Sequence, residues 1–171
     1  MEEIKIATAN DIEELLPLVN SAYRGENSKK GWTTEANIIE GDSRTDVSSL
    51  LTMMNDENAI ILTYRNNNEL QGCVYLQKQD EKLYLGMLSV NPEIQGGGIG
   101  KKLLRAAEEH AKNMHCDVIT MTVISVRHEL IAWYERNGYK DTGKRKPFPD
   151  DEKFGKPVQP LTFIVLEKQI Q

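Results

Sequence analysis

The run Gln95-Gly96-Gly97-Gly98-Ile99-Gly100-Lys101-Lys102 concentrates much of the chemistry of this sequence. It lies between an apolar, strand-like segment and the clearest helical pattern in the chain. Inside a helix, glycine costs roughly 1 kcal/mol relative to alanine, so repeated glycine at a helix start asks for a compensating role. A backbone without Cβ atoms lets a phosphate come close and aims several N–H groups at it, and the helix N-terminus adds a favourable field. Lys101 and Lys102 support this reading. Cations in a first turn oppose the helix dipole, and a bound anion would cancel the conflict. Two other phosphate loops are excluded. A Walker loop, G-x-x-x-x-G-K-[ST], would need glycine at Gln95 and a hydroxyl at Lys102. The dinucleotide fingerprint G-x-G-x-x-G, counted from Gly96 and Gly98, finds Lys101 at its third glycine.

Two further groups carry chemical potential. Tyr134 falls in a helical pattern from Arg127 to Asn137, on one face with Leu130 and Ile131. A phenol, with a pKa of about 10, stays protonated at neutral pH and can act as an acid. The segment Gly31-Trp32-Thr33-Thr34-Glu35 combines an aromatic ring, two hydroxyls and a carboxylate, a set suited to gripping an amine, with Tyr23, Arg24 and Arg44 flanking it. Glu35 is the carboxylate this segment offers as a base. His110, His115 and His128 show no metal-ligand spacing, and no Ser/His/Asp arrangement emerges. Cys73 and Cys116 lie far apart and read as reduced core residues. No metal is expected.

The elements that must position these groups follow from periodicity. Residues 4 to 7 alternate like a short strand. Asn10 followed by Glu13 predicts a capping box opening a helix with the apolar stripe Ile12, Leu15, Leu16 and Val19. A second helix is predicted from Asp46 to Met54, while residues 24 to 46 carry no clear pattern. Ala59 to Tyr64 and Leu70 to Leu76 read as a hairpin about the turn Asn66-Asn67-Asn68. Leu83 to Val90 is a third strand of that group, ended by Asn91-Pro92. After the glycines, Ile99, Leu103, Ala107, Ala111 and Met114 define one helix face, with Glu108 and Lys112 as a supporting pair. Val118 to Val123 is a buried-type strand. The Tyr134 helix ends at a left-handed cap, Asn137-Gly138. Tyr139 to Lys144 and Leu161 to Leu166 complete the strands. The order β-α-α-β-β-β-α-β-α-β-β predicts an α+β fold with a mixed, mainly antiparallel sheet flanked by helices, in a single domain over residues 1–171.

Gln95, Gly98 and Gly100 fill the pattern Q/R-x-x-G-x-G/A, and the chain here resembles the GNAT acetyltransferases. The lead-in Met87-Leu88-Ser89-Val90-Asn91-Pro92-Glu93 resembles that superfamily's fourth strand and its exit, and Trp133-Tyr134-Glu135-Arg136-Asn137-Gly138-Tyr139 its helix-to-strand signature. The likeness is specific from about Leu83 to Lys140 and says little about residues 20 to 58. It implies acetyl-CoA as co-substrate and transfer of an acetyl group to a primary amine. It places the backbone of Leu88, Ser89 and Val90 on the pantetheine and acetyl carbonyl. The N–H groups of Gln95, Gly96, Gly97, Gly98, Ile99, Gly100 and Lys101 fall on the pyrophosphate. Where the family often carries an asparagine against the cofactor, this chain has Arg127. Tyr134 matches the family's general acid. Some members carry a glutamate base on the fourth strand, and Leu83 to Val90 contains no carboxylate. The early helices wall the acceptor pocket in the family, which implies acceptor-binding roles for Tyr23, Trp32, Thr33 and Glu35.

A formal charge of −5, with 39% hydrophobic and 27% charged residues, describes an ordinary globular chain and argues against broad nucleic-acid binding. No apolar run reaches the roughly 20 residues needed to cross a bilayer, and no secretory segment opens the chain, so no membrane partner and a cytoplasmic location are expected. A small-molecule amine is the expected acceptor, and pairing into a homodimer is compatible with the resemblance. Two alternatives stand beside the enzyme: an acyl-CoA sensor without turnover, and a protein or peptide acetyltransferase.

Overall fold

In a computed structural model the chain is described over residues 1–31, 34–41, 43–94, 96–149 and 155–170, with the side chains of Glu26 and Asn27 set aside. Strand β1 (Glu2–Ile6) leads into a 3₁₀ turn (Ala9–Asp11) and helix α1 (Ile12–Tyr23). The N-terminal cap differs from the Asn10/Glu13 expectation. The Thr8 N–H donates to the Asp11 carboxylate at 2.8 Å, so the chain turns two residues earlier. A short helix α2 (Gly25–Ser28) and a two-residue strand β2 (Ile39–Glu40) occupy the stretch that has no periodic signal. Helix α3 (Val47–Asn55) starts where expected, with the Asp46 carboxylate accepting from the Ser49 N–H at 2.7 Å.

The meander β3 (Ala59–Asn66), β4 (Glu69–Gln79) and β5 (Lys82–Val90) follows. Asn67 and Asn68, both at positive φ, make its first turn. Helix α4 (Ile99–Asn113), β6 (Val118–Ile124), helix α5 (His128–Arg136), β7 (Lys140–Pro147), the two-residue β8 (Lys156–Pro157) and β9 (Thr162–Gln169) complete the order. The large sheet runs β1-β3-β4-β5-β6-β9-β7, antiparallel except for the parallel pair β5–β6. Because β2 and β8 pair separately, segments 39–40 and 156–157 are tied together across the fold.

Both faces of the sheet centre are covered. Leu15, Val19, Leu50 and Tyr75 belong to one core; Leu103, Ala107, Val74 and Leu76 belong to the other. Alternation along β4 sends Cys73 and Tyr75 to the first core and Val74 and Leu76 to the second. The expected Glu108–Lys112 pair does not form. Glu108 turns to Lys168 of β9 at 3.2 Å, and Lys112 is nearest Glu109 at 3.8 Å, because a cross-element partner lies within reach of Glu108.

Candidate active site

Strand β5 loses its alternation at Met87. Leu83 and Leu85 pack into one core, Met87 into the other, and Leu88 and Val90 into the first again. An extra residue causes the slip: Tyr75 faces Gly86 and Cys73 faces Ser89, so Val74 alone opposes Met87 and Leu88. Met87 takes φ +55°, a conformation uncommon for a side-chain-bearing residue. The Leu88 carbonyl accepts a short hydrogen bond from the Tyr23 hydroxyl of α1. The Ser89 hydroxyl is fully buried and donates to the Met87 carbonyl at 2.9 Å, so this residue can meet a ligand only through its backbone.

The bulge lies where the sheet opens. β5 and β6 pair over Lys82↔Val118, Leu83↔Ile119 and Tyr84↔Thr120 and then stop. A cavity of about 350 Å³ occupies the gap beyond, lined by Tyr84–Leu88 of β5 and Met121–Ile124 of β6. Tyr23, Arg24, Glu35, Arg44, Arg127, Leu130 and Tyr134 form much of the remaining wall, with Phe148, Pro149, Gly155 and Phe163 beside them.

Tyr134 is 5% exposed, in edge contact with Trp133 and Tyr139 at 5.1 and 5.8 Å. Burial holds its phenol well above the ordinary value near 10, with the nearby Tyr23 adding to the shift. Among the described residues none accepts a hydrogen bond from its hydroxyl, whose helix places it on the cavity wall. Burial likewise pushes Tyr23 up to about 12, against the opposing pull of Arg44.

Glu35, 8% exposed, is the hub of the opposite wall. Its Oε1 accepts from Arg24 Nε at 3.2 Å and Nη2 at 2.9 Å, and its Oε2 from Arg127 Nη1 at 3.4 Å. Its backbone N–H donates to the Tyr23 carbonyl at 2.7 Å. Arg24 Nη1 also donates to the Ser43 carbonyl at 3.0 Å. This carboxylate is therefore engaged in holding two guanidinium groups. Arg127, at the start of α5, is turned toward Glu35 and the cavity.

The glycine segment opens α4. Gly96 and Gly98 take φ +99° and +82°, and a Cβ built at either would meet nothing within 4 Å. Gly96, Gly97 and Gly98 are exposed, whereas Ile99 and Gly100 are buried and offer their backbone alone. The first helical bond is Lys102 N–H to the Gly98 carbonyl at 3.1 Å, which leaves the preceding N–H groups without an intrahelical acceptor. Bare, open backbone beside these donors fits a pyrophosphate. Lys101 is exposed at this turn. Lys102 is not part of the cradle: its ammonium is bonded to Glu2 of β1 and lies 5.7 Å from the Tyr64 ring centre, so a carboxylate of this chain meets its charge. Gln95, Trp32 and Thr33 lie outside the described residues. The sequence placed Arg24 and Arg44 only as neighbours of segment 31–35 and gave no sign of Phe148; their convergence on the cavity leaves no periodic trace in the chain. The bulge does leave one, in the changed phase from Leu83 and Leu85 to Leu88 and Val90.

This architecture, with a strand pair that opens over a bulge and a glycine-started helix, is shared with solved N-acetyltransferases. The ribosomal-protein-S18-alanine N-acetyltransferase of Escherichia coli superposes with a TM-score of 0.74 at 13% identity, over 100% of this chain and 95% of that one. The YncA structure of Salmonella typhimurium with its cofactor acetyl-CoA gives 0.71 at 18% identity, over 99% and 94%. The PaiA N-acetyltransferase of Thermoplasma acidophilum in complex with coenzyme A gives 0.70 at 19% identity, over 99% of each chain. The chain belongs to the acetyltransferase (GNAT) family, whose model matches residues 14–139. It is also similar to YdhI of Bacillus subtilis, 29% identical over 112 residues; the match spans 65% of this chain and 62% of that relative. Among the described residues no His/Cys/Asp/Glu group could hold a metal, and no helix is long and apolar enough to cross a membrane.

Proposed function

We propose that this chain is an acetyl-CoA-dependent N-acetyltransferase that moves the acetyl group to a primary amine of a small molecule by direct attack in a ternary complex. The observation that carries the reading is the cavity at the β5–β6 opening, with a buried phenol on its wall, together with the bare glycine backbone at the start of α4, which packs on β5. Bound acetyl-CoA supplies a thioester whose acetyl group passes to the amine with release of the thiol. The chain's own parts then have distinct tasks. The backbone of Gly96 to Lys101 holds the pyrophosphate. The edge of β5 at Leu88 to Val90 receives the pantetheine arm as an added strand, and the bulge presents backbone at the acetyl carbonyl. Tyr134 holds a proton at its hydroxyl for the departing sulfur, and its raised pKa keeps that proton in place at neutral pH. The proton shed by the amine balances this one through solvent.

The β2–β8 pairing supports a small acceptor over a peptide. The β2–β8 pair joins the two segments that could otherwise have bordered an open groove, and the Val158 N–H donates to the Ile38 carbonyl at 2.9 Å beside it. Phe148 and Phe163, 5.2 Å apart, cover the same side. The acyl-CoA sensor makes no use of a phenol left without a protein acceptor. Release of free thiol from acetyl-CoA, followed across amino acids, polyamines, aminoglycosides and peptides, tests the proposal. Amine-dependent release supports it, while binding of acetyl-CoA without release under any amine removes it in favour of the sensor.

A further inference from the structure

The described residues on the acceptor side of the cavity include a guanidinium group that acetyl transfer alone does not require. The cavity's described lining holds three guanidinium groups, Arg24, Arg44 and Arg127, against one carboxylate, Glu35. Arg24 and Arg127 share that carboxylate, at 2.9 and 3.4 Å. Arg44 has no carboxylate partner among the described residues. It is nevertheless held in place: Asn20 Oδ1 accepts from the backbone N–H groups of Arg44 and Thr45 at 2.5 and 2.9 Å, and the Arg44 guanidinium stacks 5.5 Å from the Tyr23 ring centre. Tyr23 in turn is bonded to the Leu88 carbonyl at the bulge. A guanidinium fork, anchored at its backbone and laid on the Tyr23 ring, thus stands one side chain away from the proposed acetyl site.

Resting on the acetyl-transfer reading, we infer that the acceptor is a small amine that also bears a compact anion, a carboxylate or a phosphoryl group, and that Arg44 binds this anion. The Arg44 guanidinium on the cavity wall, with no carboxylate partner among the described residues, attracts an anion and repels a polycation. The planar fork suits two-point contact with either anion. The same field has a second effect on the acceptor. Like charge nearby disfavours the ammonium form, so the arginines favour the neutral amine that attack on the acetyl carbon requires. A cleft whose described residues offer no free carboxylate base can in this way still present a nucleophile, provided the anion holds the acceptor there.

Pairs of amines that differ only in the anion test this: an amino acid and its carboxamide, and an aminoalkylphosphonate and the plain alkylamine. Calorimetry on the protein saturated with coenzyme A measures binding, and thiol release from acetyl-CoA measures turnover. In at least one pair the anionic member is expected to bind more than about tenfold tighter, and which pair responds separates carboxylate from phosphoryl recognition. Arg44→Gln should bring the ratio within that pair close to one, and Arg44→Lys, which keeps the charge and loses the fork, should retain part of it. A melting curve accompanies each variant, and a structural role alone would not change the ratio. A binding preference without thiol release would keep this inference and remove acetyl transfer. Turnover of neutral or polycationic amines, with no pair preferring its anionic member, would overturn the inference and leave acetyl transfer standing.

Discussion

Tyr134 and Glu35 are both buried on the cavity wall, yet their surroundings suit them to different work. No described residue accepts from the Tyr134 hydroxyl, and burial keeps it protonated. Tyr134→Phe is expected to retain the fold and acetyl-CoA affinity while lowering kcat roughly 10²-fold, the usual scale for loss of a positioned acid. Steady-state turnover with a true acceptor, beside a melting curve, checks this, and near-wild-type kcat in the folded variant would remove Tyr134 from the mechanism. Glu35 spends both oxygens on Arg24 and Arg127. Its removal takes away the carboxylate that two inward guanidinium groups share, so Glu35→Ala should destabilise the protein by about 3–5 kcal/mol, the range for breaking a buried pair. Urea unfolding measures it. A small loss of stability joined to a large loss of kcat would return Glu35 to the role of base.

At the scale of elements, the decisive pieces are the β5 bulge and the start of α4. The bulge changes which face of β5 meets which core, and the early end of β5–β6 pairing opens the gap beside it. The start of α4 depends on Gly98, whose left-handed backbone no β-branched residue adopts without strain and whose missing Cβ leaves open space. Gly98→Val should weaken acetyl-CoA by more than tenfold, about 1.4 kcal/mol or more. Calorimetry on the folded variant decides, and unchanged affinity would mean that the pyrophosphate does not rest on this turn.

Across the whole molecule, tyrosines tie the sheet, the helices and the cavity together, and this sets an alkaline limit to stability. Burial raises Tyr23 to about 12 and holds Tyr134 and Tyr139 above their ordinary value as well. In the unfolded chain each ionises near 10. A raised folded value means that the stabilisation is complete below pH of about 10 and is lost as pH climbs toward the folded values, by about 1.4 kcal/mol per pH unit for each such tyrosine. Urea titrations across that range, read by circular dichroism and by phenolate absorbance, should show unfolding and ionisation together. Phenolate appearing in an intact fold would place these rings in contact with water.

Local physics was legible in the sequence wherever it was sufficient by itself. Periodicity located α1, α3, α4, α5 and the hairpin β3–β4, and the glycine run marked the open, left-handed start of α4, because each depends on residues a few positions apart. Strand ends were short by a few residues at β4 and β7, since pairing with a neighbour, not propensity, extends them. What long-range contact decides was not legible. Lys102 looked like a partner for a bound anion until β1 brought Glu2 against it. The contacts that Arg24 and Arg127 make to the two oxygens of Glu35, the candidate base, leave no local mark either. Segments 24–46 and 146–160 carry little pattern of their own, and their closure comes from β2–β8 pairing over a gap of more than a hundred residues. There Gly155 passes so near Glu40 and Ile39 that a Cβ would stand 2.6 Å from each. The sequence by itself determined the elements and the glycine start of α4, which depend on residues a few positions apart; the tertiary structure decided which charges meet, because those partners lie far apart in the chain.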